Sequence, residues 1–280
     1  MDPAALALVS CAALLHAGWN LLTKRATSSF AFLWCAMTLA AMWLLPVAIA
    51  TSSWAELAPA LPPTLASGVV HAVYFWLLPR AYTAGDLGLV YPVARGLGVG
   101  LVPLVAFAVG GERPSALGAA GLALVVVGIV LSSAAPRRGD GGQRGLGLAI
   151  LTGLAIATYS TFDAAAARRG PPVAVVVTMT LIANSLLLPV VVARRAEVLA
   201  EWRASRRAIL LASTMSLSGY CLVLLAYQRA KTGYVVAARE LGIVVTAVLG
   251  VVVLGEPRSR ARLGGALVIL CGVAAVALAR

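Results

Sequence analysis

The chain has 280 residues, 61% of them hydrophobic and 11% charged, with a mean hydropathy of +0.95. Soluble domains carry about 25% charged residues, so this composition excludes a soluble globular protein and indicates an integral membrane one. The net charge of +12 does not indicate nucleic acid, because Lys and Arg stand in short groups between apolar runs, a pattern that sets topology and meets anionic lipid headgroups.

A membrane helix needs about 20 apolar residues, and the chain holds ten such runs: 2–22, 29–51, 62–82, 87–109, 114–134, 145–163, 172–193, 207–228, 233–254 and 260–279. All are expected to be helices, since lipid offers backbone polar groups no partner outside the segment. The first run begins at Asp2 and is followed, not preceded, by Lys24 and Arg25, the order of a retained helix rather than a cleaved leader. Within it His16, Trp19, Asn20 and Thr23 make one polar and aromatic face at i, i+3, i+4, i+7 spacing. The third run repeats that pattern with His71, Tyr74, Leu78 and Tyr82, and the fourth places Tyr91 one turn before Arg95.

Residues 136–144, rich in glycine and arginine, form a polar linker near mid-chain. The sixth run carries Thr152, Tyr159 and Asp163 at helical spacing, with Asp163 expected near the membrane surface. Ser213, Ser216, Tyr220 and Tyr227 mark the eighth run, and Arg239 is followed by Glu240 in the ninth. Cys11, Cys35, Cys221 and Cys271 lie in apolar runs without metal or redox spacing, so they are read as packing residues. Gly96-Leu97-Gly98-Val99-Gly100 follows no strand, and there is no P-loop, so nucleotide use is not indicated.

An offset of 144 residues lays Arg95 on Arg239, Leu97 on Leu241, Gly98 on Gly242, Gly111 on Gly255, Glu112 on Glu256, Gly121 on Gly265 and Gly128 on Gly272. The expected architecture is therefore all-α, with ten transmembrane helices as two five-helix repeats: 1–135, the linker 136–144, and 145–280. An odd helix count per repeat inverts the second copy relative to the first. Counting Lys and Arg on alternate sides gives fourteen with the linker and six with the termini, which places both termini outside by the positive-inside rule.

His16-Ala17-Gly18-Trp19-Asn20 in the first helix, Gly111-Glu112 and Leu254-Gly255-Glu256 closing the fourth and ninth, and glycine-bearing fifth and tenth helices give the chain its likeness. It resembles the EamA-type members of the drug/metabolite transporter superfamily along essentially its whole length. The resemblance implies a ten-helix inverted-repeat fold, a central cavity, alternating access, and small-molecule cargo such as amino acids, other metabolites, drugs or sugar derivatives. It also implies termini in the cytoplasm, opposite to the charge count. The expected setting is a cell membrane crossed many times, a bacterial inner membrane in particular.

Arginine at bilayer depth costs about 2.5–3.5 kcal/mol on insertion scales, so Arg95 and Arg239 need a reason to be there. Contact with a carboxylate or phosphate is one, and snorkelling or tying down carbonyls near Pro92 is the other. Trp19, Asn20, His71, Tyr74, Tyr91 and Tyr220 are candidate cavity residues, against the alternative of packing. Glu240 and His16 are candidates for proton coupling, against a fixed counter-ion and a hydrogen-bonded core histidine. Glu112 and Glu256 are read as structural. The function expected is secondary transport or export of a small amino-acid-like or organic-anion metabolite, with protons as a possible coupling ion and lipid as surroundings. Proton-coupled efflux of aromatic cations, recognised by Glu240 and the aromatic lining, is the rival. No paired carboxylates, metal ligands or cofactor motif point to an enzyme.

Overall fold

The computed structural model describes residues 1–84, 87–132, 143–245, 248 and 260–279. Among these there is no strand. The helices are α1 (Pro3–Lys24), α2 (Ser29–Thr51), α3 (Trp54–Leu57), α4 (Leu61–Ala84), α5 (Leu87–Gly110), α6 (Ala116–Ser132), α7 (Gln143–Ala167), α8 (Pro172–Leu186), α9 (Leu188–Ala193), α10 (Arg195–Tyr227), α11 (Thr232–Arg239) and α12 (Arg260–Leu278). Six stretches among them are long and apolar enough to cross a membrane, and Ala116–Ser132, Pro172–Leu186 and Leu263–Leu278 are shorter apolar helices.

The helices do not match the ten runs one to one. The run 172–193 is broken at Leu187, with Pro189 in the first turn of α9, where a missing N–H is tolerated. The eighth run is the C-terminal part of a 33-residue helix that bends where Ser205 leaves helical geometry (φ −121°, ψ 16°). Its N-terminal part carries Arg195 and Arg203, and Arg206 and Arg207 follow the bend at once, a composition suited to the membrane surface. Residues 246–247 and 249–259, with Gly255 and Glu256, and residues 133–142 of the linker region lie outside the described residues.

Local chemistry sets the starts. Asp2 accepts from the Ala4 N–H at 3.1 Å, Ser28 caps α2 through the Ala31 N–H at 3.2 Å, and Ser53 with Glu56 forms a capping box on α3. At the end of α5, Gly111 adopts a left-handed φ of 67°, open to glycine without a Cβ penalty. That turn lets the Glu112 N–H reach the Ala106 carbonyl at 3.2 Å and presents the Glu112 side chain beyond the helix.

Large side chains face outward and small ones inward. Ile49, Leu104 and Val109 are more than 60% exposed, whereas the largest buried cluster is mainly alanine and valine, including Ala5, Ala12, Ala40, Val99, Val175 and Ala237. This inversion suits a lipid solvent, in which helices gain from close backbone approach rather than from hiding leucine. The α6–α12 pair is the clearest case. A Cβ on Gly121 would lie 2.7 Å from the Gly272 carbonyl oxygen, and one on Gly128 would lie 2.7 Å from the Ile269 nitrogen.

The long helices pair reciprocally. α4 runs along α7, and α1 along α10; α8 lies on α4, and α2 on α10; α5 packs on α7, and α11 on α1. Shifting by 144 residues turns each pairing into its counterpart, while α2–α8 and α6–α12 map onto themselves. The Met1 ammonium donates to the Ala277 and Ala279 carbonyls at 2.8 and 2.6 Å, so the start of α1 and the end of α12 share one face of the bundle.

Candidate functional site

Polar groups are scarce in the described interior, and a cluster of them forms where α4, α7 and α10 meet. On α7, Thr152, Tyr159 and Asp163 share one buried face, and Asp163 is wholly inaccessible. α7 continues one turn beyond it to Ala167, and α4 and α5 pack along α7. Asp163 Oδ1 accepts a hydrogen bond from Ser67 Oγ, and Oδ2 accepts one from Tyr220 Oη. Both donors are buried.

Ser67 also anchors a histidine. His71, one turn along α4, has Nδ1 3.0 Å from the Ser67 carbonyl oxygen and 3.1 Å from Ser67 Oγ. A carbonyl only accepts, so Nδ1 carries the hydrogen and Nε2 is left as the acceptor. The ring lies 4.1 Å from that of Tyr159 and meets Tyr220 edge-on at 5.9 Å. Tyr74 extends the same face against Tyr159 at 5.5 Å.

From α1, His16 donates through Nδ1 to the Ala12 carbonyl at 2.8 Å, and its ring lies 6.2 Å from Tyr220. Gly219 makes room for it, since a Cβ there would come within 3.0 Å of His16 Nδ1. Trp19 stands 5.9 Å from His16, with its Nε1 buried and without a hydrogen-bond partner among the described residues. Asn20 is exposed and donates to the His16 carbonyl at 2.7 Å. Tyr91 and Tyr82 side chains lie outside the described residues. Ser213 and Ser216 bond carbonyls of their own helix and add no donor to the cluster.

The two intramembrane arginines differ in company. Arg95 Nε lies 3.4 Å from Glu240 Oε2, with Arg95 about a quarter exposed and Glu240 buried. Glu240 is thus a counter-ion to Arg95, one of the two readings its position allowed. The Arg239 guanidinium sits 5.5 Å from the Tyr220 ring centroid, and Tyr159 and Tyr227 face it. Among the described residues no carboxylate lies within ion-pairing distance of Arg239. Tyr227 is fully buried, and its Oη has no hydrogen-bond partner there.

Glu112 behaves as a structural carboxylate, though its partners are distant in sequence. It accepts from Arg168 at 2.6 Å, from the Thr232 hydroxyl at 2.8 Å and from the Thr232 N–H at 2.7 Å, so it caps the start of α11. Arg168 further donates to the Tyr227 and Ala230 carbonyls, and Lys231 to that of Arg113. A separate apolar crevice lies between α2, α4 and α8 beside Trp34, Met37 and Phe75, apart from the charged groups.

Residues 143–278 match the EamA-like transporter family. That segment belongs to it. The family lies within the drug/metabolite transporter superfamily, and the chain carries six helices long and apolar enough to cross a membrane. The EamA match takes in Asp163, Tyr220, Arg239 and Glu240. A protein of known crystal structure shares the fold, with a TM-score of 0.80 over 99% of this chain and 97% of that one, at 18% identity. No curated protein matches the sequence.

Sequence reasoning missed Ser67, Arg168 and Thr232. Ser67 stands four residues before His71, the spacing that puts two helical residues on one face, and this signal was available. Nothing local marked Arg168 or Thr232, whose partner is over fifty residues away in each case.

Proposed function

We propose that this EamA-type chain is a secondary transporter of small metabolites bearing a carboxylate or similar anionic group, which is held at Arg239. The observation that carries the reading is the setting of that guanidinium: inside the bundle, faced by Tyr159, Tyr220 and Tyr227, with no carboxylate within ion-pairing distance among the described residues. A planar fork of donors accepts a carboxylate in two parallel hydrogen bonds, and a guanidinium is lightly hydrated enough to meet it in a dry site. The Tyr227 hydroxyl supplies a further donor beside it, and the tyrosine rings give apolar walls to the rest of a small substrate.

Arg95 is the less suitable of the pair because Glu240 already occupies it. The same ion pair counts against aromatic-cation efflux, which needs Glu240 free to attract the cation. Reciprocal packing of the two halves supports a division into inverted repeats, 1–135 and 145–280, that rock about the cluster to expose it to either side in turn.

Thermal stabilisation of the purified protein by matched probes tests the reading. Benzoate should raise the melting temperature, benzamide should not, and Arg239→Gln should abolish the benzoate effect. Stabilisation by benzylammonium in place of benzoate would transfer the site to Glu240 and overturn it.

A further inference from the structure

The interior holds a second negative group for which the anion reading has no use. Asp163 is fully buried, and its oxygens take the Ser67 and Tyr220 hydroxyls rather than a cation. The groups facing it are His71 from α4, Tyr159 from its own helix, Tyr220 and Tyr227 from α10, and Arg239 from α11. From α5, Arg95 is held by Glu240, and α8 brings Met179 but no titratable side chain. Of the other buried carboxylates among the described residues, Glu240 has its arginine, and Glu201 accepts the Ser28 N–H at 2.8 Å where α2 begins.

We propose that Asp163 is the proton-binding group of this transporter, taking up a proton as an anion binds beside Arg239. The inference rests on the anion reading above. Its basis is a charge balance in a small dry volume. Tyr220 ties the two positions together, donating its hydroxyl to Asp163 while its ring lies under the Arg239 guanidinium. With Glu240 spent on Arg95, the pair Arg239 and Asp163 is neutral overall. An arriving carboxylate leaves an excess negative charge among groups shielded from water, and like charges sharing one site cannot both persist cheaply. A proton from solvent on an Asp163 oxygen restores neutrality. Asp163 then becomes a donor, and Ser67 and Tyr220 can turn their hydroxyls, His71 Nε2 being an acceptor within the cluster. Anion and proton therefore bind as a pair, and each raises the affinity for the other by the same factor. Asp163 thereby takes the role for which Glu240 and His16 were the sequence candidates.

Benzoate affinity measured across a pH series, on the full-length protein in lipid nanodiscs, tests this. Wild type should lose affinity as pH rises, by up to about tenfold per pH unit over the range where the benzoate complex holds one more proton than the free protein, and Asp163→Asn should bind benzoate with no such slope. Infrared spectra give a second readout that needs no ligand: a protonated-carboxyl C=O band present at low pH, absent in Asp163→Asn, shifted in Tyr220→Phe and retained in Glu201→Gln. A slope shared by wild type and Asp163→Asn, or a band untouched by Asp163→Asn and Tyr220→Phe, would overturn the proposal. Arg239-dependent benzoate binding without any pH slope would overturn it too while leaving the anion site standing. Benzoate binding equally to Arg239→Gln would sink the anion site and this inference with it.

Discussion

At the scale of single residues, the account turns on which charge answers which. Arg95 and Glu240 were each visible in the sequence as costly groups at bilayer depth, and a fixed counter-ion to Arg239 or Arg95 was one reading of Glu240, but which arginine it meets was not visible, because a helical pattern fixes a residue's face and says nothing of what another helix brings to it. Their pairing makes a quantitative expectation. Glu240→Gln leaves Arg95 without its carboxylate, and breaking one side of a buried pair costs about 3–5 kcal/mol; with Arg95 a quarter exposed, the lower end applies. The double variant Arg95→Gln, Glu240→Gln should recover part of that loss in thermal unfolding. Purely additive losses would show that the two groups are not coupled. Asp163 shows the same limit: its place near the end of its apolar run is read from the sequence, whereas its enclosure comes from Ser67 and Tyr220 on other helices.

Helices were the most legible elements, since an apolar run in lipid has few alternatives. Breaks within them were less so: the interruption at Leu187 and the bend at Ser205 leave hydropathy nearly unchanged. Glycine spacing was legible too, since small residues seven apart on one face allow close helix contact. The repeat placed Gly121, Gly128, Gly265 and Gly272 in register, and the structure uses all four where α6 and α12 touch backbone to backbone. Gly121→Val should therefore separate the two helices, with a loss of several kcal/mol or failure to insert stably, because the atoms in the way are backbone rather than movable side chain. Gly147→Ala is the matched control. A Cβ there meets nothing within 4 Å, so it should be neutral or raise stability by about 0.4–1 kcal/mol. Chemical unfolding of both in the same detergent distinguishes them, and equal losses would contradict the packing assigned to α6 and α12. Glu112 shows an element end used for assembly. A left-handed glycine ends α5, and the next residue caps α11 from the other half of the chain.

For the molecule as a whole, the two halves are bound crosswise: the first helix of each lies along a later helix of the other. The polar cluster therefore belongs to neither half, with Ser67 and His71 from one, and Asp163, Tyr220 and Arg239 from the other. Under the proposed function, movement of the halves against each other would remake this site. The central claim is that this shared site recognises negative charge through Arg239, and uptake into proteoliposomes tests it most directly. Wild type and Arg239→Gln, at matched amounts of folded protein, are given a panel of amino acids, organic anions and cationic dyes. The account predicts uptake of carboxylate-bearing solutes, reduced about tenfold or more in the variant, as expected for losing a charge-assisted hydrogen bond of about 1.5–3 kcal/mol. Preference for the dyes, or carboxylate uptake unchanged in Arg239→Gln, would contradict it.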